Sequence, residues 1–191
     1  MMEHPALIIV DVQNDFCPGG ALAVPEGDQI IPIVRAWAED FFRQGYPIVT
    51  TQDNHPPHHI SFGERGGPWP PHCVQGTLGF ALHPALQLPP HAVCLKGEDP
   101  DQDAYSGFEG LVEGPEGNRE PLASFLHRAS VDTVYVAGLA TDYCVKATVL
   151  DALKAGFRTI VLRDAVRGVD VNAGDSARAL EEMAGQGAQI R

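Results

Sequence analysis

Hydrophobic residues recur along this chain in two alternating signatures. "PALIIVDV", residues 5–12, is a short unbroken apolar run rich in β-branched residues, the pattern of a strand covered on both faces. From Asp28 to Gln44 the period changes: Ile30, Val34, Trp37, Ala38 and Phe41 share a helical face, and Gly45 stands where a closing residue belongs. The strand signature returns in "YPIVTTQD", "AVCLK" (92–96), "DTVYVAGL" and "FRTIVLRD". Helices are expected over Glu120 to Ala129, over Asp142 to Ala155 with Val145, Val149, Ala152 and Leu153 on one face, and over Asn172 to Gln186. Strands alternating with helices predict an α/β fold, a mostly parallel sheet wrapped on both sides. The length of 191 residues fits a single domain, 1–191.

Two stretches depart from this rhythm. Asp53 to His91 is dense in Pro, Gly and His, and Gly97 to Asn118 in Gly and acids, so both read as long loops. Long loops in a compact domain are functional or disordered. The aromatic residues and cysteine of "GPWPPHCVQGTLGF" favour an ordered loop.

A formal charge of -12, with only 13 Lys and Arg scattered along the chain, argues against nucleic acid as a partner. The opening "MMEHPALIIVDVQ" has no basic stretch and its apolar run breaks at Asp11, so neither export signal nor membrane span is expected, and the cytoplasm is the expected location. Cys17, Cys73, Cys94 and Cys144 lack paired spacing and are expected as free thiols.

Ligands of open parallel sheets bind beyond the carboxyl ends of the strands. Asp11, Asp53, Lys96 and the segment "GLATDYC" end four predicted strands, so two acids, a cation and a thiol reach one rim. With Thr141 as N-cap, Cys144 falls in the first helical turn, where the macrodipole favours a thiolate and free amides can receive an oxyanion. A buried helix-start cysteine that merely packs is an equally good local reading. Asp11 as proton acceptor and Lys96 as its neighbour shift the balance toward a nucleophile with its base.

The loop "QDNHPPHHISFGERGGPWPPHC" carries four histidines. Asp53 and His55 can face one centre if the chain turns at Pro56, and His72 can return to it, giving a divalent-metal donor set with open positions. Ser61, Glu64 or water remain alternatives for a fourth ligand. His58 and His59 better suit surface decoration.

"IIVDVQNDFCPGGALAVPEGD", "TQDNHPPHHISF", "WPPHCVQGT", "KGEDPDQDAYSGFEG" and "GLATDYCV" together resemble the nicotinamidase/pyrazinamidase family of the isochorismatase-like hydrolases. The resemblance runs from Ala6 to about Met183. It implies a Rossmann-like fold and hydrolysis of nicotinamide to nicotinate and ammonia in NAD salvage, through a cysteine thioester. It implies Asp11, Lys96 and Cys144 as catalytic residues and Asp53, His55 and His72 as ligands of one divalent transition metal ion (Zn, Fe or Mn). It further implies a cis peptide from Leu139 to Ala140, an oxyanion hole at the amides of Ala140 and Cys144, and Phe16, Trp69 and Tyr105 around the pyridine ring. The stretch "GEDPDQDA" between Lys96 and Tyr105 is longer and more acidic than the family's turn. A metal-free cysteine amidase acting on another small amide and a non-catalytic small-ligand binder stay open as alternatives, as does a homo-oligomer.

Overall fold

The computed structural model describes residues 3–191; Met1 and Met2 lie outside it. Eight strands form one sheet in the order β5-β4-β3-β2-β1-β6-β7-β8. The strands are β1 (Pro5–Val10), β2 (Ile48–Asp53), β3 (Ala92–Lys96), β4 (Leu111–Glu113), β5 (Arg119–Pro121), β6 (Thr133–Leu139), β7 (Arg158–Arg167) and β8 (Gln189–Ile190). All neighbours run parallel except β3 with β4 and β4 with β5. The helices are α1 (Ile31–Arg43), α2 (Leu122–Arg128), α3 (Lys146–Lys154) and α4 (Asp175–Gly185).

The unbroken apolar run of β1 explains why the sheet has two cores. Ala6, Ile8 and Val10 enter one, shared with Leu122 and Leu126 of α2, Val149 and Ala152 of α3, and Ala179 and Met183 of α4. Leu7 and Ile9 enter the other, against Val34, Ala38 and Phe41 of α1. Successive strand residues point to opposite faces, so a strand buried on both sides must be apolar throughout. Gly45, at φ 75°, closes α1 as its spacing predicted.

The order of connections places the site. The chain builds outward from β1 through β2 to β3, then crosses back to lay β6 on the other side of β1. That reversal between β1 and β6 opens a crevice at their carboxyl ends.

Several expectations are corrected. The helix expected from Asp28 begins as a 3-10 turn, Gly27–Ile30, with α1 following it. The helix expected from Glu120 starts at Leu122, because Arg119–Pro121 pairs as β5 with β4. The Gly97 to Asn118 stretch is therefore only partly loop: β4 and the 3-10 turn Gly107–Glu109 lie within it. α4 starts at Asp175 rather than Asn172, and the two-residue β8 is too short to carry a periodic signal. The Asp53 to His91 stretch is an ordered loop, pinned by bridges His55↔Val74, Phe62↔Trp69 and Gln13↔Leu82.

Candidate active site

Asp11 follows β1 directly and turns the chain with φ 49°. Thr51 of β2 donates to its Oδ1 at 2.6 Å. Its Oδ2 lies 2.9 Å from Lys96 Nζ as an ion pair, with no hydrogen bond directed onto it. Lys96 ends β3 wholly buried, where it also pairs with Asp53 Oδ1 and approaches Cys144 Sγ at 3.5 Å. The ammonium is thus hydrogen-bonded to Asp53 and Cys144 and ion-paired with Asp11.

Cys144 sits in a wide π-type turn, Thr141–Val145, that precedes α3. Ala140, not Thr141, is the residue that opens the turn, and no side chain caps it. Ala140 O accepts from both Tyr143 N and Val145 N at 3.1 Å, passing over the Cys144 amide between them. Ala140 and Cys144 line one pocket, and the peptide from Leu139 to Ala140 is cis.

The wide turn stands where a regular helical N-terminus was expected at Cys144. Burial pushes the Cys144 thiol well above its ordinary value; Lys96 opposes this, while Asp11 and Asp53 add to it. Burial likewise raises Asp11 against the pull of Lys96. A basic carboxylate beside a protonated thiol can exchange a proton without changing the charge of the cluster. Releasing that proton to solvent would instead add a buried charge, at a cost of several kcal/mol. Lys96 itself is held well above its ordinary value, since Asp11, Asp53 and Cys144 outweigh its desolvation.

Asp53 divides its carboxylate between two centres. While Oδ1 meets Lys96, Oδ2 lies 3.5 Å from His55 Nε2 and 3.9 Å from His72 Nε2. The three side chains are buried, with one ligand atom each within 4.8 Å of the others. His55 Nδ1 lies 2.8 Å from Gly97 O and His72 Nδ1 2.8 Å from Pro70 O. A carbonyl only accepts, so each Nδ1 carries hydrogen and each Nε2 faces Asp53, the tautomers a metal requires. This donor set fits a divalent ion. Burial favours the uncharged imidazole at both, but Asp53 reverses the balance at His55 and raises it, whereas His72 stays below the ordinary 6.5. Burial would raise Asp53; Lys96 and His55 hold it below the usual carboxylate range.

The loop reaches this geometry through backbone bonds: His55 N donates to Cys73 O at 3.1 Å and Gln75 N to His55 O at 2.8 Å, which returns His72 beside His55. Asp15 Oδ2 accepts from Cys73 N at 2.8 Å. His58 is on the surface and pairs with Glu64 at 2.7 Å, which takes Glu64 away from the metal centre. His59 is not surface decoration: it is fully buried and stacked 4.0 Å from His55. Its ring nitrogens meet Ser61 Oγ at 2.7 Å and Gln102 O at 2.9 Å, so Ser61 is engaged there.

Phe16, Trp69, Tyr105, His72, Asp53, Ala140 and Cys144 line one pocket of about 410 Å³ counted to its open mouth. The long acidic segment before Tyr105 does not displace it. Arg65 binds Pro100 O at 2.9 Å and Asp101 at 2.8 Å, and Glu109 accepts from the amides of Tyr105 and Ser106. Trp69 Nε1 then donates to the Tyr105 hydroxyl at 3.0 Å. Tyr143 completes the wall, edge-on to Trp69 at 5.2 Å, and Leu22, Val24 and Val169 also line it. Sequence reasoning missed Tyr143, although it adjoins the nucleophile position. Gln13, Asp15, Thr51 and Gly97 were missed for a different reason: they act through backbone or through a neighbour.

The four cysteines are all free and buried. Of these four, Cys144 is the one that lines the pocket, with the Asp11 carboxylate within 4.8 Å of its sulfur.

A thiol, a carboxylate and an ammonium at the switch of an open parallel sheet are the equipment of a cysteine-dependent hydrolase, and fold and site define that class. The Isochorismatase domain family matches residues 5–191. The nicotinamidase of Escherichia coli (strain K12) is 41% identical over 205 aligned residues, spanning 99% of this chain and 95% of that protein. The solved pyrazinamidase of Pyrococcus horikoshii in complex with zinc matches at a TM-score of 0.89 and 50% identity, covering 98% of each chain. PnC1 from L. infantum in complex with nicotinate matches at 0.86 and 36%, covering 98% of this chain and 91% of that one. The chain belongs to the nicotinamidase/pyrazinamidase family of the isochorismatase-like hydrolases.

Proposed function

We propose that the protein hydrolyses nicotinamide to nicotinate and ammonia, and pyrazinamide by the same route, as an amidase of NAD salvage. One observation carries this above the other amidases of the superfamily: a single aromatic pocket is lined by Cys144 together with the metal donors Asp53 and His72. A flat heteroaromatic amide held between rings can present its carboxamide carbon to the thiol and its ring nitrogen to the metal donors.

In the proposed chemistry Cys144 passes its proton to Asp11 Oδ2 as its sulfur attacks the carboxamide carbon. Lys96 keeps the shifting negative charge compensated throughout. The amides of Ala140 and Cys144 receive the oxyanion. Asp11 returns the proton to the departing nitrogen, ammonia leaves, and a thioester remains on Cys144. Asp11 then takes a proton from water as water attacks the thioester; the acid leaves and the proton returns to sulfur. A divalent ion held by Asp53, His55 and His72 would supply Lewis acidity for the ring nitrogen and for water. Zn, Fe and Mn all suit one carboxylate and two imidazoles.

Ammonia release from nicotinamide, measured beside elemental analysis of the same sample, tests this. Equimolar nicotinate and ammonia from protein carrying about one metal ion per chain is expected. Metal-replete protein that leaves nicotinamide intact refutes it, and full activity without metal moves the assignment to the metal-free amidases.

A further inference from the structure

Gln13 is fully buried three residues beyond the end of β1, and its side chain bonds to backbone alone. Its Oε1 accepts from Asp53 N at 2.9 Å, and its Nε2 donates to Asp53 O at 2.9 Å and to Phe80 O at 2.8 Å. The paired rungs of β1 and β2 end at Val10↔Thr51, followed by one bond from Asp11 N to Thr51 O at 3.1 Å. The left-handed turn at Asp11 then carries the chain away, while β2 runs on to Asp53 with only β3 beside it. On the vacated edge the carboxamide of Gln13 replaces the missing peptide group, donating and accepting as a strand would. A buried N–H and C=O left without such a partner would each carry a desolvation penalty.

We propose that Gln13 is a positioning residue for Asp53, and that it sets the division of that carboxylate between Lys96 and the two imidazoles. The inference rests on the metal assignment above. The direction in which Oδ2 points follows from the Asp53 backbone, and Gln13 holds that backbone at both of its polar atoms. No other side chain can do the same: Glu has the shape but lacks both N–H donors, and Asn is one methylene short. Outer partners that orient a metal ligand typically change affinity by one to two orders of magnitude.

The test is zinc affinity, measured by competition with a chromophoric chelator on metal-free Gln13→Glu and Gln13→Met, beside circular dichroism and thermal unfolding of the same metal-free samples. Both variants should retain the wild-type spectrum and a cooperative transition, while the zinc dissociation constant rises roughly 10–100-fold. Cobalt-substituted variants should show a displaced visible absorption band, which a merely structural role would leave in place. Affinity within about twofold of wild type in both variants, with wild-type protein binding one zinc, overturns the inference alone. Affinity lost only in step with lost folding of the metal-free protein also overturns it. Wild-type protein that takes up no zinc removes the metal assignment and this inference together.

Discussion

The two halves of the site are held by different kinds of structure. Asp11, Lys96 and Cys144 follow or end β1, β3 and β6, whose parallel ladders share hydrogen bonds over many residues. His55 and His72 instead ride a long loop ordered by separate turn and bridge bonds rather than a continuous ladder, among them the His55–Cys73 backbone contact and the Asp15 carboxylate on Cys73 N. Asp53 belongs to both, with its backbone in β2 and its carboxylate shared. The nucleophile half should therefore tolerate changes around it, whereas the metal half should answer to single remote side chains.

The largest effect should come from the strand-borne half. Cys144→Ala removes one sulfur from a packed turn, so the fold should stand while turnover falls by several orders of magnitude. Ammonia release near the wild-type rate would end the thioester mechanism. An aldehyde analogue of nicotinamide, which has no amine to lose, should be found by mass spectrometry on Cys144 and on no other cysteine.

Gly97→Ala breaks the comparison most directly. Gly97 has φ +68°, and a Cβ there would come within 2.5 Å of the His55 ring. Metal affinity should fall at least about tenfold, with His72→Ala behaving alike, while Cys144 remains open to alkylation. His58→Ala, on the surface, should leave affinity unchanged; the reverse ranking of His58 and His72 would refute the ligand assignment.

pH sharpens the distinction. Proton and metal compete for the same His55 nitrogen, and Asp53 raises that proton's affinity. Metal affinity should weaken as pH falls, with the weakening beginning above the ordinary imidazole value of 6.5. Titration of the zinc dissociation constant by chelator competition across this range checks it, and a constant that stays level until well below pH 6.5 would contradict the raised His55. The smallest effect is expected at the wall: Trp69→Ala should raise KM by about 1–3 kcal/mol equivalent, with kcat largely kept. An unchanged KM would reduce Trp69 to a loop anchor.

What the sequence made legible follows the same division. β1, β2, β3, β6 and β7 were readable because burial on both faces selects short apolar and β-branched stretches, and the ends of β1, β2, β3 and β6 led to Asp11, Asp53, Lys96 and Cys144 together. The short β4, β5 and β8 bury too little to leave a pattern. Asp53, His55 and His72 could be suspected from chemistry and spacing, but nothing local distinguished buried His59 from exposed His58. That difference depends on Gln102 and the Arg65 clamp, both supplied by distant chain. The burial that raises the Cys144 thiol is likewise supplied by distant chain, and a wide turn stands there in place of the expected regular helix start.

The divided carboxylate of Asp53 also limits how this frame can be re-engineered. Two modules that meet through one side chain cannot be exchanged separately: deleting Asp53 to make a metal-free amidase would also take one of two counter-ions from a buried lysine. Substitutions at Asp53, Lys96 and the imidazoles should therefore combine non-additively, with coupling energies of about 0.5–3 kcal/mol. A designer who wants the nucleophile without the metal has to rebuild both sides of that carboxylate at once.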